Sequence, residues 1–153
     1  MDLKDRFTRG CLIGLIGGIS TTLLGYLFSL LKFGTLRFSD FAAILVYGRR
    51  AHSLLELLFA TVVHWGFSAV AGVIFIYLLK AIGRKNLILK GWVFGVSIWF
   101  ISYITTELFK IQEFATISFK SAVANFLVSS LYGIVIATVY SYLEKKLGET
   151  ADL

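Results

Sequence analysis

Residues 57–79 read LLFATVVHWGFSAVAGVIFIYLL, 23 residues without an Asp, Glu, Lys or Arg. Glu56 closes the run on one side and Lys80 on the other. As a helix the run reaches about 34 Å, enough for a hydrocarbon layer of about 30 Å. It predicts a membrane-spanning helix with one ionisable residue, His64, in its first half.

Three more runs repeat the design. Residues 11–31 are uncharged, and Gly10, Gly14 and Gly18 recur at four-residue steps, with Gly25 and Ser29 extending the small face. Residues 91–109 open on Gly91, Trp92 and Gly95 and carry one charge, Glu107. Residues 121–143 place Ser129, Gly133, Ala137 and Ser141 at four-residue steps. In residues 57–79 the small positions are Ala60, Ser68, Ala71 and Gly72. Such ridges let a second backbone approach closely, so Gly10, Gly14, Gly18, Gly72, Gly91, Gly95 and Gly133 are expected at helix contacts. Between the first two spans, Arg37, Asp40, Arg49 and Arg50 forbid another crossing. Ser39 or Asp40 can cap a short helix there, because Phe41, Ala42, Leu45 and Val46 recur at helical spacing. Residues 40–47 therefore read as an interfacial or re-entrant helix, or as an ordered apolar loop against the bundle. The ends, residues 1–10 and 144–153, read as a polar and a charged tail. The expected architecture is all-α: one polytopic transmembrane four-helix bundle within a single domain, with that short segment between spans one and two.

Composition agrees. The chain is 58% hydrophobic and 16% charged, against about 45–50% and 25% in soluble domains. Its net charge of +6 is expected to face anionic lipid, since no basic stretch is long enough or aromatic enough for nucleic acid. The segments on the N-terminal side of the bundle hold 9 Lys and Arg against 6 on the other, which places both termini in the cytoplasm. Cys11 is the only cysteine, so an internal disulfide is excluded. Arg9 and an apolar run that follows the cysteine do not make a lipoprotein signal, and no small-residue cleavage site marks a signal peptide.

The chain also carries a candidate internal repeat. Arg9, Gly10, Gly14, Phe28, Phe33, Thr35 and Phe38 match Lys90, Gly91, Gly95, Phe109, Phe114, Thr116 and Phe119 at an offset of 81. Tyr77, Leu78, Lys80 and Gly83 match Tyr142, Leu143, Lys145 and Gly148 at an offset of 65. Two parallel hairpins would result, related about an axis along the membrane normal.

Candidate chemistry is confined to a few polar residues toward the outer leaflet: Glu56, His64, Glu107 and Asn125, with Thr21, Thr22 and Tyr26 nearby. Ionisable groups inside a membrane face protein or water. One reading is an outward-facing cavity in which His64 and a carboxylate bind a solute or relay a proton. The other is structural: Glu56 and Glu107 pair with Arg49, Arg50 or Lys110 at helix ends, and His64 and Asn125 bond neighbouring helices. His52 and His64 are about 18 Å apart along one helix, so they cannot share an ion, and no metal site or cofactor is expected. No H-E-x-x-H, G-x-S-x-G, P-loop or Rossmann fingerprint occurs, so no catalytic residue is assigned. An intramembrane enzyme would need a nucleophile within reach of His64.

The run VVHWGFSAVAGVIFIYLL, the basic turn after it, KGWVFGVSIWF and FLVSSLYGIVIATVYSYLE together resemble the YqhR-like group of small four-helix membrane proteins of Gram-positive bacteria. The resemblance spans most of residues 10–145. It implies four spans and a bacterial cytoplasmic membrane, and carries no reaction with it. The expected function is thus non-enzymatic: an integral membrane protein acting through helix packing, as a homo-oligomer or as an accessory or scaffold subunit of a membrane complex. The alternative is a small transporter or channel for a solute or protons. Expected partners are the lipid bilayer and another membrane protein or a second copy, with no nucleic acid.

Overall fold

The computed structural model describes residues 5–34, 36–108 and 117–147; the side chain of Glu107 and residue Phe109, the end of the third predicted span, lie outside the described residues. Five helices form: α1 Arg6–Leu30, α2 Phe38–Tyr47, α3 Leu54–Ile82, α4 Leu87–Leu108 and α5 Phe119–Lys146. No strand occurs among the described residues. Four of the helices, α1, α3, α4 and α5, are long and apolar enough to cross a membrane. All four begin before the apolar stretches read from the sequence, and α3 and α5 also end after them, because polar residues start or stop them there. Asp5 accepts from the Thr8 amide at 2.7 Å and from its hydroxyl at 2.6 Å, and these bonds hold its carboxyl below the ordinary value. Ser53 accepts from Glu56 N and Ser118 from Ser121 N, both at 3.2 Å. At the end of α3, Lys90 Nζ donates to the carbonyls of Ile82 and Gly83 at 2.8 and 2.9 Å, satisfying acceptors the helix leaves open.

Glycine sets which helices touch. A Cβ on Gly14 would strike the Ser68 carbonyl, and one on Gly72 the Gly10 carbonyl; one on Gly10 would lie 2.6 Å from Val73 Cα, and one on Gly18 2.7 Å from Ser68 Cβ. That is the α1–α3 seam. In the α4–α5 seam, Gly91 meets Gly133 and Ala137, and Gly95 meets Ser129 and Gly133. The contacts Gly10–Gly72 and Gly14–Ser68 thus recur as Gly91–Ala137 and Gly95–Gly133, displaced by the same 81 and 65 residues that relate the two halves of the sequence. Gly17, which the sequence reading left aside, lies on Tyr132 and Ile136 and opens the α1–α5 contact. Ile13, Phe75, Leu79, Tyr132, Ile136 and Tyr140 fill the core between these helices.

The halves differ at one interface. α1 packs along α5, but α3 and α4 do not pack comparably. They meet at Phe75 and Phe94, with ring centroids 5.2 Å apart. Further along, α2 stands between them. Phe38 stacks on His64 of α3 at 6.0 Å, and Phe41 reaches Tyr103 of α4 at 6.0 Å. Tyr47, at the other end of α2, donates to the Glu56 carbonyl at 3.5 Å. The residues after α1 therefore fold back along the helices: Gly34 sits on Ala124, and Arg37 lies over the Tyr26 ring at 4.7 Å. α2 then climbs from the level of His64 to that of Glu56, about 12 Å along α3. Its first turn is closed by Asp40, which accepts from Arg37 N at 2.7 Å and pairs with the Arg37 guanidinium at 3.3 Å. Gly48 ends it in the left-handed region at φ 68°. Gly48→Ala is expected to cost about 1 kcal/mol, read as a lower thermal midpoint, because a Cβ is strained at that φ.

Two residues assigned by sequence to exposed tails are buried. Arg9 is 2% exposed and Glu144 8%. Arg84 pairs with Glu144 at 2.7 Å and lies over the Tyr140 ring at 6.0 Å. The start of α1 and the end of α5 meet at this level, which encloses the charges instead of releasing them to solvent.

Candidate functional site

His64 lies about three turns into α3, where α1, α2 and α5 converge on it. Its Nε2 is 3.4 Å from Thr21 Oγ1. Thr21 donates its hydroxyl proton to the Gly18 carbonyl at 2.9 Å, so in this contact the imidazole N–H is the donor and Thr21 the acceptor. Thr21 is therefore not placed as a nucleophile activated by His64. The next residue of α1 holds the next residue of α3: Trp65 Nε1 donates to Thr22 Oγ1 at 3.0 Å. On the far side of the ring, Tyr132 of α5 donates to the Ser68 carbonyl at 2.6 Å. These bonds hold α1, α3 and α5 together around the imidazole.

A chamber of about 30 Å³ opens beside His64, bounded by Thr21, Phe38, Ser68, Ser129 and Tyr132 among others. It has room for about two waters. A second space of about 10 Å³ lies toward α2, where His64 and Asn125 face Thr22, Tyr26, Arg37 and Ser39. Asn125 is fully buried and donates to the Tyr103 hydroxyl at 3.2 Å, tying α5 to α4. His64 and Asn125 are thus brought together. Glu56 is not: both its carboxylate oxygens take the Arg49 guanidinium at 2.9 Å, and one also accepts from His52 N at 2.8 Å. It locks the turn between α2 and α3, about 12 Å along the helix from His64. Among the described residues, no three His, Cys, Asp or Glu side chains gather to hold an ion.

Ser129 is the residue of this site that sequence reasoning missed. Most helical hydroxyls here donate to the carbonyl one turn back, as Ser20, Thr61, Ser68, Ser102 and Thr138 do. Ser129 does not. Its Oγ is buried and has no hydrogen-bond partner, and the residue borders the chamber. An unpaired buried hydroxyl costs roughly 1–3 kcal/mol, a cost that a water or another polar atom in the chamber would relieve. The available signal was the spacing Asn125, Ser129, Tyr132, which puts three polar groups on one face of α5.

Beside the chamber a groove of about 290 Å³ lies between α3 and α4, lined by Phe41 and Leu45 of α2, Val63 and Phe67 of α3, and Ile101 and Thr105 of α4. Phe38, His64 and Phe67 border both spaces. The groove exists because α2 holds α3 and α4 apart here. Compared with protein-family models, with curated proteins and with solved structures, the chain finds no match.

Proposed function

We propose that this chain is an integral membrane protein, a four-helix transmembrane bundle with both termini in the cytoplasm, that binds a small guest in the His64–Ser129 chamber and performs no catalysis. α2 and the residues before it form a re-entrant hairpin from the outer side. Its non-helical arm is sheltered by α1 and α5, as irregular backbone at membrane depth must be. The observation that carries the reading is the unpartnered hydroxyl of Ser129, a residue that borders a chamber wide enough for a polar atom. Self-association or service as an accessory subunit has less support than the sequence suggested. The seven glycines behind that expectation are occupied by contacts within the chain. A proton or solute path through Glu56 has less support too, since its carboxylate is bound to Arg49.

Native mass spectrometry of the full chain, extracted from its membrane in mild detergent, tests this. A small-molecule adduct is expected on the monomer, with occupancy falling at least tenfold in Ser129→Ala. That variant should also be more stable without a guest by about 1 kcal/mol, because the unpaired hydroxyl is gone. A bare chain at every detergent concentration would sink the reading, and a stoichiometric protein partner would favour the subunit role instead.

A further inference from the structure

We infer that the guest is a neutral long-chain lipid with a hydroxyl or carbonyl at one end, its head in the chamber and its chain in the α3–α4 groove. The inference rests on the binding role proposed above and names the ligand class for the same site. The groove is apolar and opens sideways: Phe67 is 60% and Ile101 61% exposed at its walls. In a membrane that mouth faces acyl chains, so the guest arrives from lipid instead of water. The groove follows α2 from Phe38 to Leu45, about 10 Å, and covers the first part of a chain while the rest stays in the bilayer.

The head is fixed by what the chamber offers. Ser129 Oγ has no partner, and the His64 ring makes one long hydrogen bond among the described residues, to Thr21. Among the described residues no Asp, Glu, Lys or Arg borders the chamber. Arg37, which borders the neighbouring space, pairs with Asp40 at 3.3 Å. A carboxylate or phosphate head would lose its water there without gaining a free counter-charge. An alkane would leave the Ser129 hydroxyl unpaired. A hydroxyl or carbonyl can bond Ser129 and needs no compensating charge. The chamber volume of about 30 Å³ suits a head of one or two heavy atoms, not a phosphodiester headgroup.

The full chain in phosphatidylcholine nanodiscs, titrated with tritiated hexadecanol, hexadecanoate or hexadecane and counted by scintillation proximity, tests the class. Hexadecanol is expected to bind one per chain, and the other two at least tenfold more weakly. Ser129→Ala should weaken hexadecanol at least fivefold and leave hexadecane unchanged. Thr105→Trp, which fills the groove mouth, should weaken hexadecanol without moving the thermal midpoint. Ser130→Ala removes a buried hydroxyl that does not border the chamber, and should bind as wild type. Equal binding of hexadecanoate and hexadecanol, both lost in Ser129→Ala, would overturn the neutral class and leave the binding role standing. If no probe binds while the chain from its own membrane still carries an adduct, this inference fails alone. If the adduct is missing as well, both fail.

Discussion

Gly133→Ala is expected to destabilise the protein by about 3 kcal/mol, and Gly133→Val to prevent folding. A Cβ at Gly133 would fall on the Gly91 carbonyl and 3.0 Å from Gly95 N. Both obstacles are helix backbone, so no side chain can rotate away, and α4 must move off α5. That displacement would loosen the Ser129 and Gly95 contact as well as the Tyr103 bond to Asn125. Gly66 is the internal control. It lies mid-helix in α3, and an added Cβ there meets nothing within 4 Å. Gly66→Ala should therefore gain about 0.5–1 kcal/mol from helix propensity. Circular dichroism during SDS-driven unfolding would read both. Similar midpoints for the two alanine variants would mean that α4 and α5 do not approach as closely as Gly91 and Gly133 require.

Much of the helix layout is readable before any coordinates. Four runs free of charge or nearly so, each bounded by charged residues, dictate four long helices, because unpaired backbone polar groups have no other outlet in apolar surroundings. Glycine at four-residue steps marks a face for close approach. It does not say which helix fills that face: Gly17 meets α5 while its neighbours Gly14 and Gly18 meet α3. The depth of α2 was hidden for a related reason. Helical spacing over residues 40–47 gives a face, but only the Phe38–His64 stack and the Tyr47–Glu56 bond fix the height of the helix. Glu56 and His64 both read as polar groups toward the outer side of one helix, and the sequence left open whether Glu56 joins the cavity or pairs with Arg49 or Arg50. Arg49 separates them by taking the carboxylate. Ser129 reads as one more small residue until its missing partner is seen, since a hydroxyl that bonds its own helix and one that does not are spelled alike.

Burial of Arg9 and Glu144 leads to the other large effect. Glu144→Ala is expected to cost about 2 kcal/mol, because it removes a buried carboxylate that pairs with Arg84 at 2.7 Å. Arg9 and Arg84 both bring positive charge to the neighbourhood of Tyr140, and Glu144 is the carboxylate set among them. Without it the positive charges near Tyr140 face each other in a region with little solvent to screen them, since Arg9 is 2% and Tyr140 3% exposed. Arg84→Ala should cost much less, about 1 kcal/mol or under, because that side chain is 42% exposed and its loss leaves Glu144 near a second arginine. Unfolding midpoints for both variants at low and high salt provide the measurement. The Glu144→Ala penalty should persist in high salt, since buried charges are poorly screened, while the Arg84→Ala penalty should shrink. Equal, salt-sensitive losses would show instead that Glu144 stands in water, and that the ends of α1 and α5 are held by apolar contacts alone.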